Sequence, residues 1–120
     1  MNVLVVDDEV EVVDFFSIFL RRFGLNVEKA TCGHDALELF NRYKPEWVFL
    51  DIKMPDINGL DLLKKMREID TGIKAIMISG KDDSSTENQA RELGISDYLI
   101  KPIDLEEMHR IIKKHIPGQE

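Results

Sequence analysis

Cysteine is almost absent from this chain. Cys32 stands alone among 120 residues, so no disulfide can close within it, and a reducing compartment is expected. Cys32 itself reads as a small residue near a helix start. Long apolar runs are missing too: none approaches the ~18 residues that suggest a membrane span. No basic segment followed by an apolar core opens the sequence, so no signal peptide is evident and a cytoplasmic location is expected. Basic charge is in deficit, with 16 Lys and Arg against 23 Asp and Glu and a net charge of -7. That sign argues against direct contact with nucleic acid or an anionic membrane, and it suits metal cations or basic protein faces. Internal repeats and low-complexity segments are absent as well.

What is present is the material of one globular domain. Hydrophobic residues make up 43% and charged residues 32%, a balance typical of folded proteins. The length fits a single core. Five short apolar runs recur, at 3–6, 27–30, 47–50, 75–78 and 98–100. Their Val, Ile and Phe enrichment predicts strands. The first, third and fourth lack polar alternation, as interior strands of a parallel sheet do.

Between the runs, apolar residues return at helical spacing. Val12, Phe16, Phe19 and Phe23 form the first stripe, and Ala36, Leu37 and Phe40 the second. Leu62, Leu63, Met66 and Ile69 form the third, and Leu105, Met108, Ile111 and Ile112 the last. Gly24 and Gly94 stand where helix C-caps are expected. Ser84 with Glu87, and Asp104 with Glu107, have N-capping spacing. The helix from Ser84 offers only Ala90 and Leu93 for burial, which predicts a weakly held element.

Strand and helix therefore alternate five times, which implies a doubly wound α/β fold: a (βα)5 three-layer sandwich with right-handed crossovers. Ligands of such sheets bind beyond the carboxyl ends of the strands. Asp7 and Asp8 follow the first strand, and Asp51 ends the third. Ser79 ends the fourth and Lys101 follows the fifth, so all five should meet at one edge.

Three carboxylates brought together repel strongly, by ~4 kcal/mol per pair at ~4 Å and an effective dielectric of ~20. A raised pKa or a cation must offset this. Oxygen-only ligands suit Mg2+, which explains a charged pair directly behind a buried strand. Asp51 could then attack a phosphoryl group to give an aspartyl phosphate, with Lys101 and the Ser79 hydroxyl holding its oxygens.

The stretches "VVDDE", "LDIKMPDINGLDLL", "IMISG" and "DYLIKP", in this order, resemble the receiver domain of two-component response regulators over residues 2 to about 115. The resemblance implies a flavodoxin-like, chemotaxis-regulator-like sheet in the order 2-1-3-4-5. It implies Mg2+ (or Mn2+ in its place) on Asp7, Asp8, Asp51 and the backbone carbonyl of Lys53. Asp51 becomes the phospho-acceptor, Ser79 and Tyr98 the switch pair, and Lys101–Pro102 a candidate cis peptide. Phosphoryl donors would be a sensor histidine kinase or a histidine phosphotransfer protein. The face of the fourth helix, fifth strand and fifth helix would engage an output protein or domain, and phosphorylation-dependent homodimers are a further expectation. In this light the domain covers 1–116, and 117–120, with Pro117 and Gly118, is a tail or the start of a linker. The protein would be a signalling acceptor and not a turnover enzyme.

The chain departs from the commonest family pattern in two ways. Gly80 replaces the usual Ala after the hydroxyl residue, giving its loop freedom and Tyr98 more room. Lys53 and Lys81 place long cations where they could redirect a hydrolytic water. Met54, Pro55 and Gly59 are expected to shape the loop after the third strand, and Asp56 and Asp61 to be solvated or to form caps. His34, His109, His115, Arg110, Lys113 and Lys114 are expected on solvated helix faces. Two alternatives are a degenerate receiver acting as a binding scaffold, which would lack one of the acidic groups or the lysine, and an aspartyl-phosphate hydrolase. The latter normally carries a D-x-D pattern after the first strand, where this chain has an adjacent pair.

Overall fold

The computed structural model describes residues 1–80 and 84–116; Lys81, the side chain of Ser84 and the tail at 117–120 lie outside the described residues. Strands β1 (Asn2–Val6), β2 (Asn26–Ala30), β3 (Trp47–Asp51), β4 (Lys74–Ser79) and β5 (Asp97–Ile100) alternate with helices α1 (Val10–Arg21), α2 (Gly33–Tyr43), α3 (Gly59–Ile69), α4 (Ser84–Glu92) and α5 (Leu105–His115). All strand pairs are parallel, in the order β2-β1-β3-β4-β5. The expected fold class and strand order are those observed.

Strand periodicity divides the core in two. Val3, Val5, Phe49, Ile76 and Ile78 point to one face and pack against α1 and α5. Leu4, Val6, Val48, Leu50, Ala75 and Met77 point to the other and pack against residues of α2 and α3, with Ala90 of α4. Every residue of β3 is buried, as a central strand covered on both faces requires. In α4, Ala90 is buried and the following Leu93 is partly buried, the two contacts its sequence offers.

The α1 stripe differs from the expected one. Val13, Phe16, Ser17, Phe19 and Leu20 are buried, while Val12 and Phe23 pack only partly against the core. The helix is turned so that i, i+3, i+4 and i+7 from Val13 face the sheet, and Val12 is left beside the β5–α5 loop.

Caps set the element ends. Cys32 is the N-cap of α2, its Sγ accepting from the Asp35 amide. Asp104 caps α5 by accepting from the Glu107 amide at 2.8 Å. Asp56 does form a cap, but for a helix distant in sequence: its two oxygens accept from the Gly33 and His34 amides at 2.9 and 3.0 Å. This ties the loop after β3 to the start of α2. Asp61 is exposed beside Lys64.

Gly59 is required by close approach. A β-carbon there would overlap the Asp51 carbonyl oxygen and come within 2.9 Å of Ile52 Cα. Gly59→Ala is expected to cost about 1–3 kcal/mol by overpacking, measured as a lowered urea midpoint, with Asp51 and Ile52 amide resonances shifted most.

At the opposite end of the sheet His109, Arg110, Lys113 and Lys114 are exposed on α5 as expected, while His115 is half-buried. Asp97, nearly buried, accepts from the Tyr98 amide at 2.9 Å. Its other oxygen lies 3.2 Å from Arg110 Nη1, 3.0 Å from His115 Nε2 and 3.8 Å from Lys114 Nζ. The exposed His109 ring also stands edge-on to Phe19 and Phe23. Burial pushes the Asp97 carboxyl up, but the hydrogen bonds from His115, the Tyr98 amide and Arg110 outweigh it and hold the pKa below the ordinary value. A depressed carboxyl contributes stability above its unfolded pKa and loses it as pH falls through the folded one. Asp97→Asn is therefore expected to cost about 1 kcal/mol at pH 7, after allowance for the exposed Arg110 and Lys114. In urea titrations the deficit should persist down to pH 3.8 and shrink only below it, as pH falls through the lowered folded value.

Candidate functional site

Each strand that bears a candidate residue ends at the same edge. Val6 is paired with Ala30 and Leu50, and Asp51 with Ile78, so the residues that follow these positions emerge together. Ser79 is in register with Ile100, and the Lys101 amide donates to the Ser79 carbonyl at 2.7 Å. The topology thus brings Asp7, Asp8, Asp51, Ser79 and Lys101 to one edge.

Asp7 is fully buried, Asp51 nearly so and Asp8 exposed. Each offers one carboxylate oxygen such that all three lie within 4.8 Å of one another. Asp7 Oδ1 accepts from the Glu9 amide at 2.9 Å. Asp7 Oδ2 lies 2.8 Å from Lys101 Nζ. That contact is an ion pair off the line of a hydrogen bond, so this buried oxygen keeps a lone pair with no donor aligned on it. Lys101 also reaches Glu9 Oε1 at 2.9 Å and stands 3.8 Å from Asp51 Oδ1.

The charges strain one another. Burial first, and then the Asp7 charge, push the Asp51 carboxyl up to about 7; Lys101 opposes this and Asp8 adds to it. Burial also raises Asp7, against the adjacent Lys101 ammonium and the hydrogen bond from the Glu9 amide. Lys101 is held above the usual lysine value: burial lowers it, but its bonds to Asp7 and Glu9 and the Asp51 charge prevail. Three hard oxygen donors, one of them buried and without a hydrogen bond, fit a divalent cation such as Mg2+.

The remaining expected residues are arranged around this centre. Lys53 and Pro55 are exposed in the loop after β3. The Lys101–Pro102 peptide is cis. Tyr98 is already packed inward, 8% exposed, among the residues on the α2–α3 side of the sheet. Its hydroxyl is buried and unpartnered among the described residues. Among the described residues, and apart from its chain neighbours, no atom lies within 4 Å of where a Gly80 β-carbon would stand. A cleft of about 540 Å³ runs alongside, lined by Glu9, Val12, Phe15, Gly80, Lys101 and Pro102, among others. Glu9 is the residue that sequence reasoning left without a role.

A doubly wound sheet with an acidic triad and a lysine at its carboxyl edge defines a class of α/β domains with a charged site at the strand ends. Within that class, this chain belongs to the response regulator receiver domain family, whose model matches residues 3–113. It is 29% identical over 116 residues to sporulation initiation phosphotransferase F of Bacillus subtilis, covering 97% of this chain and 94% of the relative. Regulatory protein AtoC of Escherichia coli is 35% identical over 118 residues, 98% of this chain but 26% of its own length. The probable transcriptional regulatory protein TcrX of Mycobacterium tuberculosis is 35% identical over 108 residues, 90% of this chain and 46% of its own. The chain thus spans less than half of these two longer regulators. Among solved structures, a CheY-like response regulator receiver domain protein of Methanospirillum hungatei superposes with a TM-score of 0.89 at 27% identity, covering 98% of this chain and 94% of that one. Receivers of this family work with kinases and output domains. Among the described residues, no helix is long and apolar enough to cross a membrane.

Proposed function

We propose that this receiver is a switch in which Asp51 takes the phosphoryl group from a phosphohistidine of a sensor histidine kinase or phosphotransfer protein. The observation that carries this reading is a buried Asp51 carboxylate, 3.8 Å from Lys101, in a triad with Asp7 and Asp8. In the step, an Asp51 carboxylate oxygen forms a bond to phosphorus while the phosphorus–nitrogen bond breaks, and the departing imidazole keeps the electron pair and takes a proton. Asp7, Asp8, Asp51 and the Lys53 carbonyl would hold Mg2+, or Mn2+, which supplies positive charge to the phosphoryl oxygens. Lys101 pairs with another of these oxygens, and the Ser79 hydroxyl donates to a third.

The new charge draws on Ser79 and Lys101, whose strands flank the face formed by α4, β5 and α5. Tyr98 lies on that face's inner side, so a shift of its population alters the surface offered to an output protein, an output domain or a second copy of the chain. Pro55, Gly59, Gly80 and Pro102 shape the loops around the acceptor. Residues 1–116 constitute the receiver, with 117–120 as tail or linker, in a cytoplasmic signalling protein without substrate turnover.

The test is incubation with acetyl phosphate, with and without Mg2+, followed by intact mass. One Mg2+-dependent phosphoryl adduct, absent in Asp51→Asn, is expected. No adduct under any condition would favour a scaffold, and steady phosphate release without an adduct would favour a hydrolase.

A further inference from the structure

Glu9 occupies an unusual position for its side chain. It is the N-cap of α1, and its carbonyl accepts from the Val12 and Val13 amides at 3.0 and 3.3 Å. Yet its carboxylate makes no capping hydrogen bond to the helix. N-cap side chains ordinarily turn back onto the first amides, and a negative charge is favoured there. Here the carboxylate instead reaches across to Lys101 Nζ at 2.9 Å, 92 residues away. The helix loses a side-chain cap, and Lys101 gains a second carboxylate.

The consequence lies in how Lys101 is shared. Its ammonium is 2.8 Å from Asp7, 2.9 Å from Glu9 and 3.8 Å from Asp51. The two nearer partners both belong to the segment after β1, and together they draw the lysine off the acceptor. Asp7 is buried and cannot follow Lys101, whereas the Glu9 side chain is 63% exposed and can release it into the neighbouring cleft. Lys101 is itself 18% exposed, at the boundary between that cleft and Asp51.

We propose that Glu9 is a positioning residue for phosphoryl acceptance: it holds Lys101 back from Asp51 in the unphosphorylated protein, and Lys101 exchanges Glu9 for a phosphoryl oxygen when Asp51 is modified. This rests on the acceptor reading of Asp51. The exchange moves no covalent bond; it replaces one carboxylate–ammonium pair by a phosphoryl–ammonium pair. Glu9 thereby competes with the phosphorylated state, and an exposed competitor of this kind changes a rate by only a few-fold.

Two measurements test it. The first needs no phosphoryl transfer: in a crystal structure of metal-free Glu9→Gln, Lys101 Nζ is expected to move from 3.8 Å to hydrogen-bonding distance of Asp51. An unmoved lysine overturns the proposal. The second is a double-mutant cycle on adduct formation from acetyl phosphate at saturating Mg2+. Glu9→Gln is expected to speed adduct formation about two- to five-fold when Lys101 is present. In a Lys101→Met background it should change nothing, and Glu9→Asp should fall between parent and Glu9→Gln. Equal acceleration in both backgrounds would mean that Glu9 merely repels the anionic donor, which overturns the proposal. No adduct in the parent protein would instead overturn the acceptor reading, a failure that the crystal structure keeps separate from the pairing of Glu9 with Lys101.

Discussion

Asp51→Asn is expected to stabilise the metal-free protein at pH 8 by roughly 2–4 kcal/mol while removing its ability to accept a phosphoryl group. The sign follows from the carboxyl's position. Burial, and next the Asp7 charge, raise Asp51 from 3.8 to about 7. A carboxyl raised on folding is protonated in the native state over a range where the unfolded chain has already ionised. Its contribution is fully present below the unfolded value and is lost as pH rises through about 7. At pH 8 the native protein carries a buried charge that asparagine, nearly the same shape, does not. The rise from 3.8 to about 7 sets a ceiling of about 4 kcal/mol, and the exposed Asp8 side of the cluster lowers it. Urea denaturation in EDTA at pH 5 and pH 8 measures this. The parent should lose stability between the two, and the variant much less. A parent equally stable at both would show that the triad is not under electrostatic strain. Mg2+ at pH 8 should restore the parent by ligand linkage and act far less on the variant.

This strain is where stability and function oppose each other. On the proposed reading, an acceptor that holds a cation and then a phosphoryl group needs carboxylates closer together than the bare fold favours. Lys101 is the chain's own partial remedy, and its three carboxylate neighbours compete for a single ammonium. The same competition makes Glu9 relevant, because it decides how far the lysine leans towards Asp51.

Much of this was legible in the sequence because strand runs and topology rules do not depend on side-chain detail. Val3–Val6 and Trp47–Leu50 are apolar throughout and buried, so the polar residues that follow them had to emerge at the sheet edge. What could not be read was which distant side chains meet. Glu9 and Lys101 come from opposite ends of the chain, and their pairing depends on the rotation of α1 about its axis. Phe16 and Phe19 are buried as expected, but Val13 takes the place of the half-buried Val12, since the two are equally apolar and only packing decides between them. Asp97 carried no expectation of its own, and Arg110, Lys114 and His115 were expected on solvated helix faces. Their convergence requires knowing that the C-terminus of α5 passes the amino end of β5. Asp56 had two readings open, and the helix it caps belongs to another crossover unit.

Lys101→Ala should move stability in the opposite direction from Asp51→Asn. Asp7 is fully buried, and Lys101 is the cation in contact with it, at 2.8 Å. Removing one partner of a buried pair leaves an uncompensated charge, which costs about 2–4 kcal/mol once the lysine's partial exposure is allowed for. The loss belongs to ionised carboxylates, so it should be large at pH 8 in EDTA and shrink towards pH 5, where Asp51 is protonated. Mg2+ should recover part of it by supplying another positive charge to the same oxygens. The double variant, Asp51→Asn with Lys101→Ala, should be more stable than the sum of the two effects predicts, because the lysine has less repulsion to relieve once Asp51 is neutral. Chemical denaturation of the four proteins closes this cycle. If Lys101→Ala costs under about 0.5 kcal/mol, as an ordinary exposed pair would, the lysine does not hold the triad together, and its place beside Asp51 matters only once a phosphoryl group is bound.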